Sequence, residues 1–202
     1  MKTLIFTICL AAAVARGSYI DTFTENTPIP DGNPVGVVFT ETFNQAPSPS
    51  DLVNNLTITL DVSGGFNGDL YVYLTSPGGT MVTLLNQPGV SGSNPFGYGG
   101  SGLNVILSDA GATSIQTTPE TVGVLFSGTY QAAGSLAGFN GSTINGNWSL
   151  YFADLSGGGT SELNSWSLSI SAVPEPGMWG SLSGLGLLAL CGVRLWRQKW
   201  RR

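Results

Sequence analysis

The chain has 202 residues, 12 Asp or Glu, 7 Lys or Arg, no His and a formal net charge of -5. No Lys, Arg or His lies between Gly17 and Val193. That region therefore has no imidazole for a Ser-His-Asp triad, no lysine for a Ser-Lys dyad, and no His or Cys cluster for zinc. Its carboxylates repel nucleic-acid phosphates, so nucleic acid is excluded as a partner.

In chain order, Lys2 precedes an apolar run, Leu4 to Val14, which ends in Ala13-Val14-Ala15. A basic start, a short apolar middle and an A-x-A exit read as a secretory signal at residues 1–15, cut by signal peptidase after Ala15. The run is too short for a permanent span. Residues 16–50 read as an N-terminal strand and linker segment, rich in Pro and Thr, with one strand-like run at Val35 to Phe43. Residues 51–172 then alternate with period two. Leu56, Ile58, Leu60 and Val62 point one way, and Thr57, Thr59 and Asp61 the other. Leu70-Val72-Leu74, Val82-Leu84, Leu103-Val105-Leu107, Trp148-Leu150-Phe152 and Trp166-Leu168-Ile170 repeat the pattern. Short alternating runs bounded by Gly, Asn, Ser or Pro predict an all-β antiparallel sandwich. Ser76-Pro77-Gly78-Gly79-Thr80 predicts a tight turn. Gln87 to Ser101 predicts a long glycine-rich loop.

Gly68-Asp69-Leu70-Tyr71-Val72-Tyr73-Leu74-Thr75-Ser76-Pro77-Gly78-Gly79-Thr80, with Leu84-Leu85 after it, resembles the P domain (P/Homo B) of proprotein convertases and bacterial subtilases. Gly146-Asn147-Trp148-Ser149-Leu150, then Asp154, a glycine-rich turn and Leu163 through Leu168, resembles that family's closing pattern. The resemblance runs from Leu52 to Ser171. It implies a jelly-roll sandwich of galactose-binding-like type. Many members carry a His near Val62-Ser63-Gly64-Gly65-Phe66, and this chain does not. In the family the domain supports a subtilisin-like catalytic domain, so a separate surface protease is an implied partner. A peptidase activity does not transfer with the fold, and the expectation is that the chain is not an enzyme.

Calcium is the one cofactor that the chemistry admits, because it takes carboxylate and carbonyl oxygens. Asp69, Asp109 and Asp154 are its candidate ligands, although no EF-hand loop is present. Phe96 and Tyr98 in the long loop are candidate stacking residues for a sugar. Tyr71 and Tyr73 are expected to cover the sheet instead.

Residues 173–202 form a second address. Val173-Pro174-Glu175-Pro176 precedes the uncharged stretch Gly177 to Val193, which is long enough for a transmembrane helix. Arg194, Arg197, Lys199, Arg201 and Arg202 follow and hold that end in the cytoplasm. The proline-flanked Glu, the apolar stretch and the basic tail together resemble the PEP-CTERM sorting signal of Gram-negative bacteria. The resemblance implies transient membrane anchoring, processing by exosortase, and delivery to the cell surface or extracellular matrix. The expected function is an exported structural or adhesive module. The alternatives are an exopolysaccharide-binding module and an accessory domain for a separate protease.

Overall fold

The computed structural model describes residues 17–121 and 124–173. They form nine strands: β1 (Ser18–Ile29), β2 (Val37–Phe43), β3 (Leu52–Gly64), β4 (Leu70–Thr75), β5 (Met81–Asn86), β6 (Leu103–Leu107), β7 (Phe126–Tyr130), β8 (Gly146–Asp154) and β9 (Ser161–Val173). Two sheets face each other as a β-sandwich. One has the order β1-β9-β3-β6-β7, the other β2-β8-β4-β5. The signal segment and the anchor, including Ala13, Ala15, Pro174 to Pro176 and the basic tail, lie outside the described residues. Among the described residues no helix is long and apolar enough to cross a membrane.

The alternation in the sequence decides which side chains enter the core. Leu56, Ile58 and Leu60 of β3 and Leu168 and Ile170 of β9 are fully buried, as are Leu74 of β4 and Leu150 and Phe152 of β8. Trp148 and Trp166 occupy the phase expected of them, with 0% and 1% exposure. Each indole also satisfies its N–H. Trp148 Nε1 donates to the Ile144 carbonyl at 2.9 Å, and Trp166 Nε1 donates to Glu25 Oε1 at 2.9 Å. Phe139 packs edge-on to Trp148 with 5.4 Å between ring centroids. The Ser76–Thr80 turn closes as expected. Gly79 N donates to Ser76 O and Ser76 N to Thr80 O, and Gly79 takes φ +84°.

Two expectations need correction. The strand-like run at Val35 to Phe43 is β2, paired with β8, but the sequence ahead of it is not linker, because β1 pairs with β9 along its length. Both are edge strands of the sandwich itself. The sheets are also not wholly antiparallel, since β6 and β7 run parallel. Parallel neighbours need a crossover rather than a hairpin, and residues 108–125 supply it.

Trp148→Ala removes a fully buried indole and leaves a cavity. It should lower stability by about 3–5 kcal/mol, measured by urea denaturation against wild type. A wild-type midpoint would place this ring outside the core.

Candidate functional site

The site is built at one end of the sandwich, where three connections meet. The first is the 3-10 turn Asn67–Asp69 between β3 and β4. The second is the glycine-rich loop after β5. The third is the turn joining β8 to β9. Phe66 and Asp69, Phe96 to Gly99, and Ser156 with Gly157 line a cleft of about 370 Å³ between them. Phe96 is 83% exposed at the rim and Phe66 is 41% exposed, whereas Asp69 is only 8% exposed. The charge therefore sits low in the cleft and the rings sit high.

The loop is held in place by its backbone. Asn67 N donates to Gly100 O at 2.9 Å and Gly68 N to Tyr98 O at 2.8 Å. This close approach requires Gly68: a Cβ there would lie 2.5 Å from Phe96 O and 2.6 Å from Tyr98 N. Glu120 completes the clamp, accepting from Asn67 Nδ2 and from Gly100 N, both at 2.6 Å. Asn67 Nδ2 also donates to Gly102 O at 2.9 Å.

Behind Asp69 lies a second, fully buried carboxylate. Asp154 ends β8, pairs with Leu70, and accepts on Oδ2 from the Ser161 hydroxyl at 2.9 Å. Its Oδ1 is buried with no hydrogen-bond partner. Asp31 approaches from the β1–β2 connection and accepts from Gly158 N through both oxygens, at 3.2 and 3.1 Å. Burial raises the Asp154 carboxyl above its ordinary pKa; the Ser161 hydroxyl and the Ser156 backbone pull it down, and the charges of Asp69 and Asp31 push it up. Burial likewise raises Asp69; Ser156 opposes that shift and Asp31 adds to it.

Of the calcium ligands expected from sequence, Asp69 and Asp154 come together, with Asp31 beside them, and Asp109 does not. Asp109 caps the 3-10 turn Leu136–Phe139, accepting from Ser135 Oγ, Leu136 N and Ala137 N at 2.7–2.9 Å. Its oxygens are thus engaged by protein donors away from the cleft. Among the described residues, no group of three or more His, Cys, Asp or Glu is placed to hold a metal ion. Asp31 is the acidic neighbour that sequence reasoning missed. It lies 38 positions before Asp69 and belongs to no shared motif.

The aromatic candidates divide. Phe96 projects into solvent. Tyr98 is partly occupied by the fold, because its hydroxyl donates to Gln116 O at 3.3 Å and its ring lies 6.0 Å from that of Phe126. Tyr71 and Tyr73 lie on the outer face of the four-stranded sheet. Tyr73 stacks on Tyr151 at 4.5 Å, and Tyr71 meets both edge-on. A larger depression of about 520 Å³ adjoins Tyr71 and Ser135, but no charged residue lines it.

No family model and no curated protein matches this sequence. Its fold is similar to the solved structure of the Aeromonas sobria serine protease in complex with its chaperone. The TM-score is 0.50 and the identity 17%, over 80% of this chain and 28% of that one. The structure of the Aeromonas sobria serine protease gives a TM-score of 0.49 and 15% identity, over 81% of this chain and 28% of that chain. The chain thus spans little more than a quarter of the length of either, and the likeness is one of fold.

Two predictions follow from the buried acids. A carboxyl whose folded pKa is raised binds protons more readily in the native state than in the unfolded one. Stability should therefore rise as pH falls from neutral through the raised values of Asp69 and Asp154. Asp154→Asn should flatten that slope in urea midpoints taken between about pH 7.5 and 5; an unchanged slope would place the titration elsewhere. Separately, if Asp69 or Asp154 holds calcium, Tm should be higher in millimolar calcium than in chelator by mass action; an unchanged Tm retires the metal reading.

Proposed function

We propose that the chain is an exported, non-catalytic module of P-domain type. Signal peptidase and exosortase process it, and it acts structurally or adhesively at the cell surface or in the matrix. The observation that supports the sorting part is the proline-rich sequence that follows β9. β9 runs to Val173, paired with Leu52, and Pro174 follows at once. Proline lacks the N–H that a ladder needs, and it keeps its predecessor extended. Val173-Pro174-Glu175-Pro176 therefore starts at the last described residue of β9, and its two prolines disfavour any continuation of that strand's ladder.

The non-catalytic part rests on chemistry. The chain has no His, and Asp154 is too buried to act on a substrate. A glycosidase needs two carboxyls flanking one bond, and of the neighbouring pair Asp69 and Asp154 the second is fully buried. The strand order of the two sheets suits the jelly-roll reading of the sequence.

The aromatic cleft favours a binding role over a purely structural one. Exopolysaccharide is the ligand class that Phe96 and Tyr98 suggest from sequence. A surface protease is the partner that the fold likeness loosely suits, and co-purification with a subtilase would support it.

Intact mass of the protein from its own host should lack the segment from about Gly177 onward. Deleting exosortase should leave the full-length, membrane-bound chain. Native surface protein that retains Trp200 and the terminal arginines would make this a plain anchor and end the sorting reading.

A further inference from the structure

The cleft at Phe66, Asp69 and Phe96 has two features that must be read together. Its floor carries the Asp69 carboxylate, which Asp31 perturbs and which in turn perturbs Asp154 behind it. Its rim carries exposed phenyl rings. No Lys, Arg or His exists between Gly17 and Val173 to neutralise the floor from within.

The simple ligand classes differ in what they offer these two features. A bare metal ion would use the acids and ignore the rings. A neutral sugar would stack on the rings and donate hydroxyls to the carboxylate, but it brings no charge to offset the floor. An acidic polysaccharide would be repelled. A cation on an apolar stem uses both, since the charge meets the carboxylate at the bottom and the stem lies against aromatic faces. The depth order fits this arrangement, with Asp69 at 8% exposure and Phe96 at 83%. Gly99 and Gly157 leave open space at the rim, where an added Cβ would meet nothing within 4 Å.

We propose that this cleft is a receptor for a single lysine or arginine side chain presented by a partner protein. The side chain enters end-on between Phe66 and Phe96, and its ammonium or guanidinium pairs with Asp69. An incoming cation relieves the repulsion among Asp31, Asp69 and Asp154, which the fold meets with neutral donors alone. The proposal rests on the adhesive reading above and gives it a partner chemistry. Its test is a binding assay in vitro, so its failure leaves the export and sorting reading standing.

The test is an amide NMR titration of the full-length chain in detergent. The probes are glycine–serine peptides with one central lysine, arginine or norleucine. The lysine and arginine peptides should shift the amides of Gly97, Gly99 and Gly157, and the norleucine peptide should not. Phe96→Ala and Asp69→Asn should each weaken binding by about tenfold. Because Phe96 is exposed, its variant keeps the fold and carries the test alone if Asp69→Asn does not fold. Three outcomes overturn the proposal. One is no shift at these glycines. Another is binding that neither variant weakens, which is attraction to a polyanion and nothing more. The third is a glucosamine oligomer or calcium shifting the same amides while the basic peptides do not.

Discussion

No positive side chain exists inside this fold, and every carboxylate in it must be satisfied without an ion pair. The domain meets that constraint with neutral donors. Asp109 takes two backbone N–H groups and a hydroxyl, Glu120 takes an amide and a backbone N–H, and Asp31 takes Gly158 N. Glu25 takes the Trp166 indole, and Asp21 takes the Gln45 amide. Hydrogen bonds from neutral donors to a carboxylate are charge-assisted and stronger than neutral pairs. Each one also fixes a loop or an indole in place, so the acids serve as structural acceptors.

The constraint fails at one corner. Asp154 is fully buried and engages a side-chain donor with only one oxygen, and Asp69 lies beside it. A buried, incompletely paired carboxylate is costly. Two paired strand ends, the 3-10 turn and the Gly158 turn hold it there. The strand pairing Leu70↔Asp154 and the bond from Leu155 N to Asp69 O fix the backbone of both acids at this corner. The same corner supports the aromatic rim, and that coincidence gives the cleft its chemical character.

Much of the sandwich was legible from period-two alternation, because β3, β4, β8 and β9 each bury one face. The two tryptophans were legible for the same reason. β1 was not, because it is an edge strand with half-exposed side chains on one face and exposed ones on the other. Tyr19, Asp21, Phe23 and Glu25 share the half-buried face, so its polarity does not alternate. The parallel β6–β7 pair was hidden because register between strands joined by a crossover leaves no local trace. At the site, Asp69 and Asp154 stood out in the motifs that carry the resemblance. Asp31 and Glu120 did not, because their partners lie far along the chain. Asp109 misled for the converse reason: its role as a cap depends on Ser135 to Ala137, which are 26 to 28 residues away.

The character of the cleft turns on whether the Asp69–Asp154 corner lacks a compensating positive charge in the folded protein. A carboxyl-carbon NMR titration of the native chain measures this directly, residue by residue. Asp69 and Asp154 should both titrate above the ordinary aspartate range. If both titrate at or below that range, the corner is already neutralised, and the account of this cleft as a charged, unpaired receptor is contradicted.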